Sequence, residues 1–531
     1  MATEQKPLVL VSDALSETAI EIFKERGVDV DFQPKLGKDP AKLLEIIGKY
    51  DGLAVRSATK ATQEVIAAAS NLKVIGRAGI GVDNIDISAA TAKGVVVLNT
   101  PYGNAITTAE HAIAMMFSLA RKIPQASAST HEGKWEKSKF MGSELFGKSL
   151  GIIGCGNIGS IVADRALGLK LRVIAFDPFL SEARAVELGV EKVELDALLK
   201  RADIISLHTP LHDQTRNILG PVNMAKMKKG VHIINCARGG LVDEAALKDA
   251  LDSGQVGAAA LDVFETEPAT DHPLFGYENV VLTPHLGAST REAQENVAIQ
   301  VAEQMSDFLV RGAVTNAINM PSVSADEAPR LKPFIRLAEQ LGLFAGQLTE
   351  SSIKGIEVVY AGSVAKLNTK PLTAAAVAGV LKPMLVDVNI VNAPSLAKER
   401  GVAIAETYRD DVENFESLIR LRIITERQQR SVSGALFGAE PRVTEIKGVA
   451  MDAPFASNMI YLTIEDRPGF IGALGQALGD AGVNIATFNL GRASLDAEAI
   501  ALIAVDDQVD EETLEKVRGL SHVTQVKSLQ F

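Results

Sequence analysis

Three short runs hold the side chains best suited to chemistry: Asn235-Cys236-Ala237-Arg238-Gly239-Gly240, Asp262-Val263-Phe264-Glu265-Thr266-Glu267-Pro268 and Thr283-Pro284-His285-Leu286-Gly287. Each follows an apolar stretch that reads as a strand of a parallel sheet, and loops at such strand ends converge on a ligand. Arg238 sits between a buried strand and two glycines, so its planar fork projects from a tight turn and can hold a carboxylate or 2-oxo acid at two points. His285 can give and take a proton near neutral pH. A carboxylate on its other ring nitrogen, from Glu267 or Glu265, would fix its tautomer and stabilise the charged form. Together these groups suit oxidation of a secondary alcohol. The protein takes the proton and holds the substrate, while a nicotinamide carries the hydride. Histidines, cysteines and acids do not cluster at metal-ligand spacing, so no metal is expected.

The nicotinamide is expected from residues 149–177. An apolar strand, Leu150 to Ile153, runs into Gly154-Cys155-Gly156-Asn157-Ile158-Gly159; a helix follows, then a strand from Arg172 to Phe176 that ends on Asp177. Gly154 permits a tight turn, Gly156 lets a pyrophosphate approach the backbone, and Gly159 lets the helix pack closely on the strand. The helix N-terminus offers free N–H groups and partial positive charge to the phosphates. Asp177 lies roughly 20 residues beyond the second glycine, where a carboxylate bonds both ribose hydroxyls and repels a 2′-phosphate, favouring NAD over NADP.

The elements that must position these groups alternate along the chain. Leu8–Val11, Val28–Phe32, Gly52–Arg56, Lys73–Ile75 and Val95–Leu98 read as strands separated by helices, an α/β unit complete before the glycine loop begins. Ser16 is placed to cap its first helix. A long helix is expected from Thr107 to Arg121, then an irregular segment, His131–Met141, with the single tryptophan. Later strands of the dinucleotide-binding unit are Ile204–Leu207, His232–Asn235, Ala258–Leu261 and Val280–Leu282, and Thr290–Val310 reads as one amphipathic helix. Residues 320–333 have the composition of a linker, and 334–450 mix helices and strands without a motif. From Met459 onward the pattern is βαββαβ, as in ferredoxin-like units.

The chain of 531 residues is long enough for three or four domains, and 47% hydrophobic residues suit packed cores. A net charge of −12 argues against a general nucleic-acid or acidic-membrane binder. The two cysteines, Cys155 and Cys236, suggest a reducing compartment with no disulfide framework. The start lacks the features of a leader, and no apolar run approaches the roughly 18–20 residues of a membrane span, so a cytoplasmic protein is expected.

Together, the GxGxxG loop, the NCARGG run, the DVFETEP run and the TPH of His285 resemble the D-isomer-specific 2-hydroxyacid dehydrogenase family over about residues 1–318. The resemblance implies a catalytic set of Arg238, Glu267 and His285. It also implies a fold: a Rossmann-type NAD domain at 99–289 and a discontinuous, flavodoxin-like substrate or lid domain built from 1–98 and 290–318. Further cofactor contacts are implied at Ile80, Thr209, Cys236, Ala237, Asp262, Gly287 and Ala288. VRSAT at 55–59, GRAGIGVDNID at 76–86, NTPYGN at 99–104, GKWEKSKFMG at 133–142 and HLGAST at 285–290 resemble the long members of the family that oxidise 3-phosphoglycerate at the first committed step of L-serine synthesis. Arg56 and Arg77, at strand ends of the lid, would clamp the phosphate. Asn104 would bind substrate too. Lys137 stands where relatives carry a basic residue that reaches the neighbouring subunit's substrate. The rest of the chain resembles an α+β intervening domain at 319–455 and a C-terminal ferredoxin-like ACT domain at 456–531. The resemblance implies L-serine as effector, bound by Asp466 and Asn484, and a homodimer or homotetramer. Ile464 stands where serine-regulated relatives have a polar side chain. The alternatives are a reductase of glyoxylate, hydroxypyruvate or 2-oxoglutarate on the same scaffold, and an NAD(H)-sensing corepressor-like protein.

Overall fold

The computed structural model describes residues 6–411, 415–492, 494 and 498–531. Residues 1–5, the beginning of the stretch read for a leader, lie outside it.

Five parallel strands open the chain: β1 (Leu8–Val11), β2 (Asp29–Phe32), β3 (Gly52–Val55), β4 (Val74–Arg77) and β5 (Val96–Asn99). Their order, β2-β1-β3-β4-β5, is the flavodoxin-like one. All four residues of β3 are buried, as expected of a central strand covered by helices on both faces, and so are those of β5 at the edge, where Asn319 accepts the Val97 N–H. The connecting helices start on the side-chain caps their sequences offer. Ser16, Asp39, Thr62 and Asp86 each accept a backbone N–H three residues on.

A second parallel sheet holds β6 (Ser149–Ile153), β7 (Arg172–Phe176), β8 (Glu191–Lys192), β9 (Ile204–Leu207), β10 (Val231–Asn235), β11 (Val256–Leu261) and β12 (Val280–Leu282), in the order β12-β11-β10-β9-β6-β7-β8. This is the Rossmann order, with its switch point between β6 and β9. The Ala105–Arg121 helix covers the face that holds Leu150, Ile152 and Ala260.

The helix expected after His285 spans Arg291–Arg311, capped by Thr290, and turns back onto the first sheet. Its Val297, Val301 and Met305 share one apolar cluster with Val9, Ala54, Val74 and Leu98. Arg26 bonds Glu303 at 2.8 Å and Asp307 at 2.9 Å from the neighbouring helix.

The linker expected at 320–333 is only partly one, because a helix begins at Ala328 and runs to Gln347. Pro329 occupies the first turn, where its missing N–H has no intrahelical partner to lose, and Pro333 falls just inside. This helix lies against the Lys370–Leu381 helix, which is buried from Pro371 onward. The pair covers a mixed sheet of β13 (Ile353–Gly362), β14 (Ala403–Arg409), β15 (Ser417–Thr425), β16 (Gln429–Phe437), β17 (Glu440–Ile446) and β18 (Val449–Pro454), ordered β14-β13-β15-β16-β17-β18. The last unit is the expected βαββαβ fold, with β19 (Asn458–Glu465), β20 (Ile485–Arg492), β21 (Glu498–Val505) and β22 (Val523–Gln530) in the antiparallel order β20-β21-β19-β22.

Candidate active site

The glycine loop lies at the switch point. Gly154 has φ +90, a left-handed conformation, and a Cβ there would stand 2.5 Å from the carbonyl oxygen of His208 beyond β9. A Cβ on Gly159 would collide with the Gly154 carbonyl oxygen, whereas one on Gly156 would meet nothing. The open side of the loop is therefore at Gly156, the N-cap of the Asn157–Gly168 helix, where Asn157 and Ile158 begin the first turn. That is where backbone N–H groups receive a phosphate. Asp177 ends β7 beside the loop, its carboxylate accepting the Cys155 N–H at 2.8 Å and the Phe179 N–H at 2.8 Å. Burial, then Asp177, pushes the Cys155 thiol up to about 11; burial also raises Cys236, so both stay protonated near neutral pH. Thr209 and Ala237 are half-buried at the ends of β9 and β10 on the same side of the sheet.

His285 Nδ1 lies 2.7 Å from Glu267 Oε2, and Glu267 Oε1 accepts the Phe264 N–H at 3.0 Å. The bond to Glu267 raises the His285 pKa above the ordinary imidazole value, against the opposing effect of burial. Burial pushes Glu267 upward, but the bonds from His285 and the Phe264 N–H outweigh it and leave the carboxyl below its usual range. His285 has φ +55, an uncommon conformation for a residue with a side chain.

Asp262 explains how that conformation is held. Its carboxylate, fully buried, accepts Thr283 Oγ1 at 2.6 Å, the Leu286 N–H at 2.7 Å and the Gly287 N–H at 2.8 Å, with His111 Nε2 at 3.3 Å. Its backbone carbonyl accepts the His285 N–H at 2.9 Å. Both carboxylate oxygens are thus spent on the loop that carries His285, so Asp262 supports that loop from beneath. Gly287 is buried against it, with Ala288 half-buried beside it. Neither Asp262's supporting bonds nor His111 has a sequence signal of its own, because the partners are backbone groups and a side chain from a distant helix.

Arg238 leaves β10 through a turn that Asn235 fastens, its Nδ2 donating to the Arg238 carbonyl at 2.8 Å. Its Nη1 donates to the Ala237 carbonyl at 2.6 Å, and its Nε donates across to Asp83 of the first unit at 2.9 Å. Arg77, at the end of β4, is pressed down to about 10 by burial first and then by the charges of Arg238 and Arg56, which Asp83 and Asp13 partly offset. Arg77 pairs in register with Val55, next to Arg56, and the loop that follows Arg77 meets Arg238 through Asp83, so the three arginines lie near one another where the two parallel-sheet units meet.

Arg56 is aimed by its backbone. Its N–H donates to Asp13 Oδ2 at 2.6 Å, Asn84 Nδ2 bonds the Arg56 carbonyl at 2.7 Å, and Nη1 reaches the Ala14 carbonyl at 3.2 Å. The loop between β4 and the next helix is tied to β5 by Asn99, whose Nδ2 bonds the Ile80 carbonyl at 2.7 Å. Arg77 Nε and the side-chain oxygens of Thr100 and Asn104 are buried without a partner among the described residues, as groups awaiting a polar ligand would be. A cavity of about 500 Å³ opens beside His285 and Glu267, lined also by Ser57, Phe264 and Phe275. Lys137 is exposed in the segment between the Ile123–His131 helix and β6, with Trp135 81% and Met141 77% exposed beside it. No group of three metal-ligating side chains occurs among the described residues, and no helix among them is long and apolar enough to cross a membrane.

In the last unit, Asp466 pairs with Arg492 at 2.6 Å and Asn484 Nδ2 bonds Asp506 at 2.6 Å, while Ile464 is buried in the core. The two residues expected to bind an effector are each bonded to a neighbour of their own chain.

Residues 113–287 match the model of the D-isomer specific 2-hydroxyacid dehydrogenase NAD binding domain, 330–447 that of the D-3-phosphoglycerate dehydrogenase intervening domain, and 458–522 that of the ACT domain. The chain is 43% identical over 526 residues to a D-3-phosphoglycerate dehydrogenase of Synechocystis sp., covering 98% of this chain and 94% of the relative. It is 43% identical over 519 residues to that of Archaeoglobus fulgidus, covering 97% and 98%. A D-lactate dehydrogenase from Aquifex aeolicus, solved with NAD and lactic acid, superposes with a TM-score of 0.52 at 27% identity, covering 59% of this chain and all 100% of that one. The Rossmann order, the His285–Glu267 pair and these likenesses agree: the chain belongs to the D-isomer-specific 2-hydroxyacid dehydrogenase family, among its D-3-phosphoglycerate dehydrogenases with intervening and ACT domains.

Proposed function

We propose that the protein oxidises D-3-phosphoglycerate to 3-phosphohydroxypyruvate with NAD, the first committed step of L-serine biosynthesis. The observation that carries this reading is the convergence of Arg56, Arg77 and Arg238 on a cleft bounded by the His285–Glu267 pair. A plain 2-hydroxy acid needs one guanidinium for its carboxylate. A phosphorylated one carries two anionic ends and uses the other two.

The chemistry NAD supplies when bound is acceptance of the C2 hydride. Gly154, Gly156 and Gly159 with the Asn157 helix N-terminus would hold its pyrophosphate, and Asp177 its ribose. His285 takes the C2 hydroxyl proton at Nε2, the nitrogen that Glu267 leaves free. Glu267 steadies the imidazolium so formed. Arg238 fixes the carboxylate, which sets the C2 carbon against His285, and Arg56 and Arg77 fix the phosphate. Asn104 is the proposed polar partner for the substrate's remaining oxygens, its buried Oδ1 lacking a partner among the described residues. Lys137 is proposed to act in a neighbouring subunit of a homodimer or homotetramer. L-serine is the proposed effector at Asp466 and Asn484, and the cytoplasm the proposed location.

The test is NADH formation from 3-phosphoglycerate at alkaline pH with a product trap, with and without L-serine. Turnover supports the reaction, and its loss on adding serine supports the effector. Reduction of glyoxylate, hydroxypyruvate or 2-oxoglutarate without phosphoglycerate turnover would overturn the substrate.

A further inference from the structure

We propose that Asp83 is the positioning residue of Arg238, aiming its guanidinium at the substrate carboxylate through a bond that spans the cleft. The proposal rests on the reading of Arg238 as the carboxylate ligand.

Three observations carry it. Asp83 lies in the loop between β4 and the Ile87–Lys93 helix of the first unit, whereas Arg238 follows β10 of the second, and the Nε–Oδ2 bond of 2.9 Å joins the two. Among the described residues it is the one ion pair made by any of the three converging arginines: Arg56 and Arg77 reach only the carbonyls of Ala14 and Ala78. Asp13, the other nearby acid, is occupied by the Arg56 N–H and by Thr59. Finally, the loop is shaped around the guanidinium, because a Cβ on Gly81 would collide with Arg238 Nη2.

A guanidinium has five N–H donors. Asp83 takes the one on Nε and Ala237 takes one on Nη1, which leaves the Nη1–Nη2 edge for two-point binding of a carboxylate. Without Asp83 the fork turns about its own stem and presents that edge at the wrong angle. The bond joins a loop of the first unit to the second, so the aim of Arg238 depends on how the two units meet.

The effect should fall on kcat. Removing a negative charge from a cation-rich cleft does not weaken attraction for an anionic substrate, but misalignment slows hydride departure. In the full-length enzyme, Asp83→Ala is expected to lower kcat roughly 10- to 100-fold, with KM for 3-phosphoglycerate and the Kd for NADH nearly unchanged. Asp83→Asn keeps an acceptor oxygen for Nε and restores most of the rate. In an Arg238→Lys background, which lacks the Nε donor, Asp83→Ala costs nothing further. Wild-type kcat in Asp83→Ala overturns the proposal. So does an Asp83→Asn variant as slow as Asp83→Ala, a rise in KM and Kd with unchanged kcat, or an additive loss in the double variant. The underlying reading fails separately, by absent phosphoglycerate turnover in the wild type or by full turnover in Arg238→Lys.

Discussion

His285 and Glu267 form a pair whose protonation states are set by each other. The Glu267 bond raises the histidine pKa, and the proposed role of His285 as proton acceptor needs its ring neutral. In that role, the rate of oxidation should rise with pH through the raised value. Glu267→Gln removes the stabilising charge, so the limb of the kcat/KM profile should move to lower pH; an unmoved limb would take that role from Glu267. His285→Ala should lower kcat roughly 10²- to 10⁴-fold while NADH affinity, measured by fluorescence titration, stays intact. The pair bears on stability with a definite sign. Because the folded pKa of His285 is raised, its contribution is complete below the unfolded value of about 6.5 and is lost as pH rises through the folded one. The Tm gap between wild type and His285→Ala should thus be wider in mild acid than in alkali. Arg56 is accessible enough to be removed without disturbing the core. Arg56→Ala should raise KM for phosphoglycerate by about tenfold or more, the worth of a charged hydrogen-bonded contact, and far less for a phosphate-free 2-hydroxy acid.

Elements here are fitted by close approach, and two glycines separate binding from stability. Gly159 lets the Asn157–Gly168 helix reach the Gly154 carbonyl, so Gly159→Ala must displace the loop proposed to hold the pyrophosphate. It should weaken NADH binding and destabilise by about 1–3 kcal/mol, the range for overpacking. Gly342 sits in the Ala328–Gln347 helix, and a Cβ there would stand 2.9 Å from Gly379 Cα and 3.0 Å from the Val380 nitrogen of the facing helix. Gly342→Ala should destabilise by a similar amount in chemical unfolding yet leave the Kd for NADH unchanged. A shared effect on NADH would show that the two helices bear on the cofactor loop.

Across the molecule the apolar interior divides unequally. One cluster runs from the first sheet through the Arg291–Arg311 helix and the intervening unit to Met459, Tyr461, Leu502 and Leu529 on one face of the last sheet. The second unit keeps two clusters of its own. Asn392 reinforces the larger body by bonding the Ala92 carbonyl at 2.9 Å, and Gln347 exchanges two bonds of 2.9 Å with the backbone of Gln530. A ligand held by the second unit alone should stabilise that unit first. NADH at about 100 times its Kd supplies roughly 2.7 kcal/mol, so hydrogen exchange should slow in β6 to β12 and change little in β13 to β18. Equal slowing throughout would show one cooperative body.

Much of this was determined by the sequence alone. Period and capping are local physics: Ser16, Thr62 and Thr290 start helices wherever the chain goes, and apolar runs such as Ile204–Leu207 and Val280–Leu282 become buried parallel strands. The glycine loop was legible because backbone conformation and close approach restrict residue type. Arg238 and His285 stood out because each lies just beyond a strand, whereas the residues alone left Glu267 and Glu265 open and the family resemblance chose Glu267. Residues 320–333 misled, because proline in a first turn has the composition of a linker while costing a helix little. Tertiary structure decided what depends on partners distant in sequence. Asp262 props the His285 loop with backbone bonds, and Asp83 crosses to Arg238 from another sheet. The Arg291–Arg311 helix returns to the first unit because its apolar stripe finds Val9, Val74 and Leu98 there. Spacing along a chain carries no record of which surfaces will meet; burial of apolar area and pairing of charge settle that only once the units are folded.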